Sequence, residues 1–535
     1  MPRISDFLKR RPCLRDALCW SAPALVAGLI VRWVLLDYSP FALWTKDSYS
    51  FMNFAARLFL DHAWHLEDKR RWTYPIALAF SWILPGGCLK WVAVGQHAAG
   101  LLGVLCLGWI ARRCFDGWRM WIVPLTTALS LAPDLMFYEH SVLAESLFLN
   151  LGILSMAGWV KWCMPHRDPR QFWHFFAPFA LLVLCKPAGR FLFPGLVAGL
   201  LFSGLWRGMS RRQAAALVAL ALATATVGTE GQGARLLLTT VFPAMRLDTP
   251  RHAEYKAQVR DLVARARAEI HAYHEADSEL GIKSGLDSPA SLEGRPLWQE
   301  LGKKGDAIKA KRYALFKDLA LEALLHEPWL AAYVAAQRIV ASSIKAYSSE
   351  RIGPGYQAER MARDSMYPEY TKEHPELLRA LYGIPRDGPM PALDFFCRRV
   401  SPKPDSRGEG IFESLGRLSQ LTVLAHQPPG PSQAQPIYLY RPTVFGLLVL
   451  AGLVLAARRP HRAFFAAWAL VQFSYLFGVF TLGSTNPRYF SPAYPFLLIV
   501  AVLPLDSAWA WLRRRLGRAR SRAAEESAGH RPTDS

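Results

Sequence analysis

The residues of this chain that could act on a substrate fall in short connections between apolar segments. Asp47 stands in Trp44-Thr45-Lys46-Asp47-Ser48-Tyr49, just past the first apolar segment and ahead of a stretch carrying Asn53 and Arg57. A carboxylate in that position can deprotonate an acceptor hydroxyl or amine, or hold a cation that does so. Asp followed by Ser and an apolar periodic run is equally a helix N-cap. A second connection brings Asp134, Glu139, His140 and Glu145. Glu145 falls about one turn into an apolar helix, where an ionised side chain is costly and turns to a cavity or a partner. Glu139 and His140 are expected to be solvated or to flank a substrate. Two further connections supply cations: Lys186 and Arg190 around Pro187, and Arg488 before Tyr489. Such groups grip phosphate oxygens, the guanidinium in two-point fashion. They could instead reach lipid headgroups or pair with Glu145 or Asp47.

Positioning these groups falls to apolar segments read as membrane helices at 17–37, 89–111, 118–135, 141–162, 171–186, 190–206, 213–232, 440–457, 462–483 and 490–511. With their flanks they approach the ~20 residues needed to cross a ~30 Å hydrocarbon core. Of the net charge of +21, little belongs to the stretch from Met245 to Pro436, where 27 Lys and Arg face 25 Asp and Glu. The excess gathers in Arg3 to Arg15, Arg112/Arg113/Arg119, Lys161/Arg167/Arg170, Arg207/Arg211/Arg212, Arg458/Arg459/Arg462 and Arg513 to Arg522. These are the two termini and alternate connections. The positive-inside bias therefore predicts both termini in the cytoplasm and the acid-bearing connections outside, and nucleic acid is excluded as a partner.

The expected fold is all-α: a polytopic membrane bundle of about ten transmembrane helices, with interfacial helices and a mostly helical exterior insertion. Residues 1–238 hold about seven spans, with interfacial helices at Tyr49 to Leu60 and Tyr74 to Leu84 inside 38–88. Residues 239–438 form the exterior segment, helical in pattern at Ala253 to Ile270 and Lys309 to Tyr347. Residues 439–512 return to the membrane, and 513–535 form a disordered basic tail. The first apolar stretch contains Arg32 and ends in Leu36-Asp37-Tyr38, without a small-residue cleavage site, so a retained signal anchor is expected. The eight cysteines show neither a disulfide framework nor zinc-ligand spacing.

Taken in order and on one side of the membrane, these motifs resemble the C-type (GT-C) integral-membrane glycosyltransferases, in particular bacterial relatives of the protein O-mannosyltransferases and the lipid A aminoarabinose transferase. The matching residues are Asp47, Tyr49 and Ala55-Ala56-Arg57; the Tyr-Pro stretch Arg71-Trp72-Thr73-Tyr74-Pro75; Ala144-Glu145-Ser146; the basic-Pro turn Lys186-Pro187; and Arg488-Tyr489-Phe490-Ser491-Pro492. Ala323 to Ile339 is similar to an amphipathic exterior helix of many bacterial members. The first connection has one acid where some relatives have a neighbouring pair, and 239–438 shows no repeated lectin-like domain. The resemblance implies sugar transfer from a polyprenyl-phosphate donor to a protein, lipid or glycan acceptor at the exterior face of a bacterial inner membrane. Asp47 would be the base and Glu145 its acidic partner. Lys186 and Arg488 would hold the leaving phosphate, with Tyr49, Arg57, Arg190 and Tyr489 around the donor. A divalent cation can assist in this superfamily, but no ligand cluster here demands one.

Two other classes share parts of this pattern. A lipid or lipid-linked-sugar flippase would use the same spans and cations, but favours acids and broken helices near the membrane midplane. A scaffold for cell-envelope assembly needs no converging charges.

Overall fold

The computed structural model describes residues 12–38, 40–43, 48–60, 62–64, 71–115, 119–163, 170–226, 244–268, 306–330, 437–457, 462–482 and 489–529, with isolated positions at 241, 332, 333, 335, 336, 339 and 379. Among them the secondary structure is helical, apart from one isolated parallel bridge between Leu43 and Ser141. Among the described residues, four helical stretches are long and apolar enough to cross a membrane: Pro12–Asp37, Cys88–Cys114, Arg462–Thr481 and Ser491–Ala519. Gln171–Val183, Pro187–Phe202 and Phe445–Ala456 are shorter apolar helices.

In chain order, α1 is Pro12–Tyr38, α2 Ser48–Leu60, α3 Thr73–Trp82 and α4 Cys88–Cys114. The segment expected to span at 118–135 is instead α5, Ile122–Ser130, followed by the separate α6, Pro133–Glu139. The break falls where Ala132 takes an extended backbone, as a residue before proline prefers. Next come α7, Ala144–Trp162, and α8, Gln171–Val183. α8 stops short of the expected 186, and a 3-10 turn, Pro187–Phe191, leads into α9, Leu192–Phe202. α10 is Arg211–Thr226, α11 Ala253–Ala268 and α12 Asp306–His326. α13, Ile437–Ala456, α14, Arg462–Leu482, and α15, Tyr494–Gly529, complete the series.

α1, α4, α5 and α7 pack together on one side; α8 lies along α7, α9 along α14, and α13 along α15. Close approach relies on missing side chains. A Cβ at Gly158 of α7 would stand 2.4 Å from the His174 carbonyl oxygen of α8, and one at Gly195 of α9 would stand 2.3 Å from the Leu470 carbonyl of α14. Trp159 fills the centre, edge-on to Phe175 at 4.7 Å and 6.4 Å from the Trp468 ring. At one end Asp16 of α1 draws in Arg112 of α4 at 3.1 Å and Arg119 at 2.9 Å. Glu139, His140 and Glu145 lie at the other, around the junction of α6 and α7.

The two short helices expected in 38–88 both form. α2 packs on α3, and α3 on α4. α11 and α12 have their own core, Tyr255, Val259 and Val263 against Phe316, Leu319 and Ala323. Lys256, buried there, donates to Glu322 at 2.8 Å, and Thr249 donates to the other Glu322 oxygen at 2.5 Å.

Candidate functional site

Glu145 sits in the first turn of α7, where a carboxylate also complements the helix dipole. Across from it, α8 has ended at Val183 and Lys186 is extended ahead of Pro187. The Cys185 thiol points to the Ala144 carbonyl at 3.8 Å, which brings the next residue of each segment level with the other. Lys186 Nζ donates to Glu145 Oε1 at 2.8 Å, and both side chains are buried. The ammonium also lies 5.5 Å from the Phe148 ring centroid and 5.0 Å from that of Tyr489. Among the roles open to Lys186 from sequence, the structure shows pairing with Glu145. Tyr74 of α3 closes this corner: burial, and then the Glu145 charge, push its phenol well above the usual tyrosine range.

Beside that pair lie two guanidinium groups. Thr73 donates its backbone N–H to the Leu184 carbonyl at 3.3 Å and its hydroxyl to the Leu181 carbonyl at 3.0 Å, seating the start of α3 on the end of α8. Arg71 is thereby carried inside, 2% exposed. Its Nη2 donates to the Thr224 carbonyl of α10 at 3.4 Å, and its Nη1 is buried without a hydrogen-bond partner. Burial, and then the charge of nearby half-buried Arg190, pull the Arg71 pKa below the usual guanidinium value. Among the described residues no carboxylate pairs with either arginine. Two like charges thus share a low-dielectric corner, and one of them keeps an unfilled donor.

Glu139 and His140 differ from expectation: both are buried, in a network reaching into α1 and α4. Arg32 grips Glu139 in two-point fashion, Nε to Oε2 at 2.7 Å and Nη2 to Oε1 at 2.9 Å. His97 Nδ1 lies 2.9 Å from Glu139 Oε2, and its Nε2 lies 2.9 Å from His140 Nδ1. With neutral rings, the carboxylate makes His97 Nδ1 the protonated nitrogen, so His140 Nδ1 donates to His97 Nε2. Gly100 leaves room for the carboxylate, since a Cβ there would meet Glu139 Oε1 at 2.0 Å. Burial follows because α6 is only two turns long and hands the chain straight back to α7, while Arg32 supplies a partner from within the bundle.

This network also holds the flanks of the first connection. Leu43 donates to the His140 carbonyl at 2.7 Å and accepts from Val142 N–H at 3.0 Å. Ser48 Oγ donates to the Val142 carbonyl at 3.1 Å. Asp47 and Arg488 lie outside the described residues, and Tyr49 is described only as backbone in the first turn of α2. Arg57 donates to Asn53 Oδ1 of its own helix at 3.4 Å. The structure thus joins Glu145, Lys186 and Tyr489 directly, and sets Arg190 beside Arg71. Arg32 was read from sequence only as a charge within the first apolar stretch, Arg71 only as part of the Tyr-Pro stretch, and His97 not at all, although an Arg and a His within apolar segments were a readable signal. Among the described residues, no group of three or more His, Cys, Asp and Glu is arranged so that it could hold a metal ion.

No protein-family model matches the chain, and no curated protein matches it.

Proposed function

We propose that this protein is an integral-membrane glycosyltransferase of the GT-C kind, moving a sugar from a polyprenyl-phosphate donor to an acceptor at the exterior face of a bacterial inner membrane. The observation that carries the reading is the buried Arg71 with an unfilled donor beside Arg190, at the end of the bundle that also holds Glu145. A lipid phosphate would satisfy both guanidiniums while its chain stays in the bilayer. In this reading the chain crosses the membrane about ten times with both termini in the cytoplasm.

In the reaction, an acceptor hydroxyl or amine attacks the anomeric carbon. The bond from that carbon to the phosphate oxygen breaks, the phosphate leaves with the electron pair, and the acceptor proton passes to Asp47. Arg71, Arg190 and Arg488 stabilise the charge that develops on the leaving phosphate, and in a water-poor site this electrostatic stabilisation lowers the barrier more than any other contribution. Glu145, tied to Lys186, orients the acceptor, and Tyr489 keeps the ammonium in place. Tyr49 and Arg57 line the donor's sugar side.

The test incubates purified protein with radiolabelled polyprenyl-phosphate sugars and an extract of its own cell envelope, beside Asp47→Asn and Arg71→Gln. Transfer by the wild type, loss with Asp47→Asn and weakened donor use with Arg71→Gln are expected. Donor bound by every protein but transferred by none would refute the reading and favour lipid transport.

A further inference from the structure

Over its last two turns, the face of α12 turned away from α11 is also apolar. Successive residues of an α-helix turn by about 100°, so Leu321 and Leu325 lie roughly opposite Phe316, which faces the α11 core. Leu325 is 81% exposed; beyond the break at Glu327, Trp329 is 85% exposed and Tyr333 40%, continuing the four-residue spacing. The stripe begins after Asp318, which accepts from Arg251 at 2.6 Å. Leaving such side chains in water forgoes about 1.5–3 kcal/mol for each large apolar group.

Position and side-chain type indicate what covers them. α10, whose Leu220 belongs to the bundle core, runs to Thr226 at the end where Thr224 meets Arg71. Val241, already part of the α11–α12 core, follows fifteen residues later. Nine residues after Leu330, Ile339 packs back onto the bundle core. The α11–α12 unit is therefore tied to the bundle on both sides, with little chain to carry it away from the membrane. Trp and Tyr with Leu are the residue types of the headgroup–acyl boundary, and outward-facing side chains of the bundle, Trp33 and Phe202, are exposed to a similar degree.

We propose that Leu321, Leu325 and Trp329 are seated in the lipid surface at the Arg71 end of the bundle. The α11–α12 unit then lies against the membrane beside the arginine pair, with its Arg251–Asp318 end raised into water. The ligand is the bilayer itself, and the inference holds whether or not the chain transfers a sugar.

The test uses the full-length chain in nanodiscs of phosphatidylethanolamine and phosphatidylglycerol, with p-benzoylphenylalanine placed singly at 325, at 329 and at exposed position 260 of α11. These positions are exposed, so folding is expected to survive. Illumination should add the mass of one phospholipid to the peptides carrying 325 and 329, and not to the one carrying 260. Adducts at 325 and 329 with the chain's own 340–436 segment, with another protein, or with water alone would each overturn the proposal.

Discussion

The Glu145–Lys186 pair offers a direct test of how charge is arranged at this end of the bundle. At 2.8 Å and an effective dielectric near 20, the attraction is about 6 kcal/mol before desolvation is subtracted. Desolvation of the two groups cancels most of that for the pair as a whole, so replacing both by uncharged residues of similar volume should cost little. Removing only one partner is different, because a buried charge is left behind. Lys186→Met should cost ~3–5 kcal/mol. Glu145→Gln should cost less, since the ammonium keeps the faces of Phe148 and Tyr489, each worth ~0.5–2 kcal/mol when desolvated.

The assay is equilibrium unfolding in mixed detergent micelles for the wild type, both single variants and Lys186→Met/Glu145→Gln. The double variant is expected to be more stable than Lys186→Met alone, with a coupling of at least ~2 kcal/mol. If the single effects simply add, within ~0.5 kcal/mol, the groups do not interact and the pairing of α7 with the α8 end is wrong. A Glu145→Gln protein less stable than Lys186→Met would refute the role given to the two rings.

Arg71→Gln should weaken binding of a polyprenyl phosphate by roughly 10- to 150-fold, the equivalent of one charge-assisted hydrogen bond of ~1.5–3 kcal/mol, measured by competition with a labelled lipid. The same substitution should leave the lipid-free protein as stable as the wild type or more so, because it relieves repulsion with Arg190. Gly158→Ala forces a methyl group against the His174 backbone and should destabilise the α7–α8 contact by ~1–3 kcal/mol, seen as an earlier melting transition in detergent. In the α11–α12 unit, burial raises the Glu322 pKa, but hydrogen bonds from Lys256 and Thr249 outweigh it and the net shift is downward. A depressed folded-state pKa gives stability that is full above the unfolded value, ~4.3, and is lost as pH falls through the folded one. Proteolysis of the unit should therefore accelerate below about pH 4.3, and Glu322→Gln should flatten that dependence.

The apolar segments were legible because a hydrocarbon solvent imposes length and composition at once, and α1, α4, α14 and α15 fall where the sequence reading put spans. Residues 118–135 failed as one helix because hydropathy is blind to where the backbone breaks. Pro133 carries that information, and composition alone gave it no weight. Lys186 was legible as a cation needing a reason, yet its partner was not, since pairing depends on how α7 and α8 lie side by side. The solvated reading of Glu139 and His140 failed for the same cause. Their fate was decided by Arg32 and His97, 107 and 43 positions away from the residues they bind.

The contrast between these groups shows why the arginine pair, and not the most heavily connected cluster, is the better pointer to function. In a low-dielectric setting a charge that already has its counter-charge gains little from a ligand, because the ligand must first compete with the partner in place. Arg32 with Glu139, and Lys186 with Glu145, are of this kind: each fixes two segments relative to each other, and neither has an electrostatic reason to bind an anion. Arg71 and Arg190 raise one another's cost, and Arg71 keeps a donor that no described group fills. That arrangement is unfavourable in the empty protein and becomes favourable once an anion arrives. The distinction makes opposite demands on stability: neutralising a member of the paired sets should weaken the fold, whereas neutralising Arg71 should not. Loss of stability in Arg71→Gln comparable to that in Lys186→Met would mean that Arg71 is held by a partner of its own, and the anion site would have to be sought elsewhere.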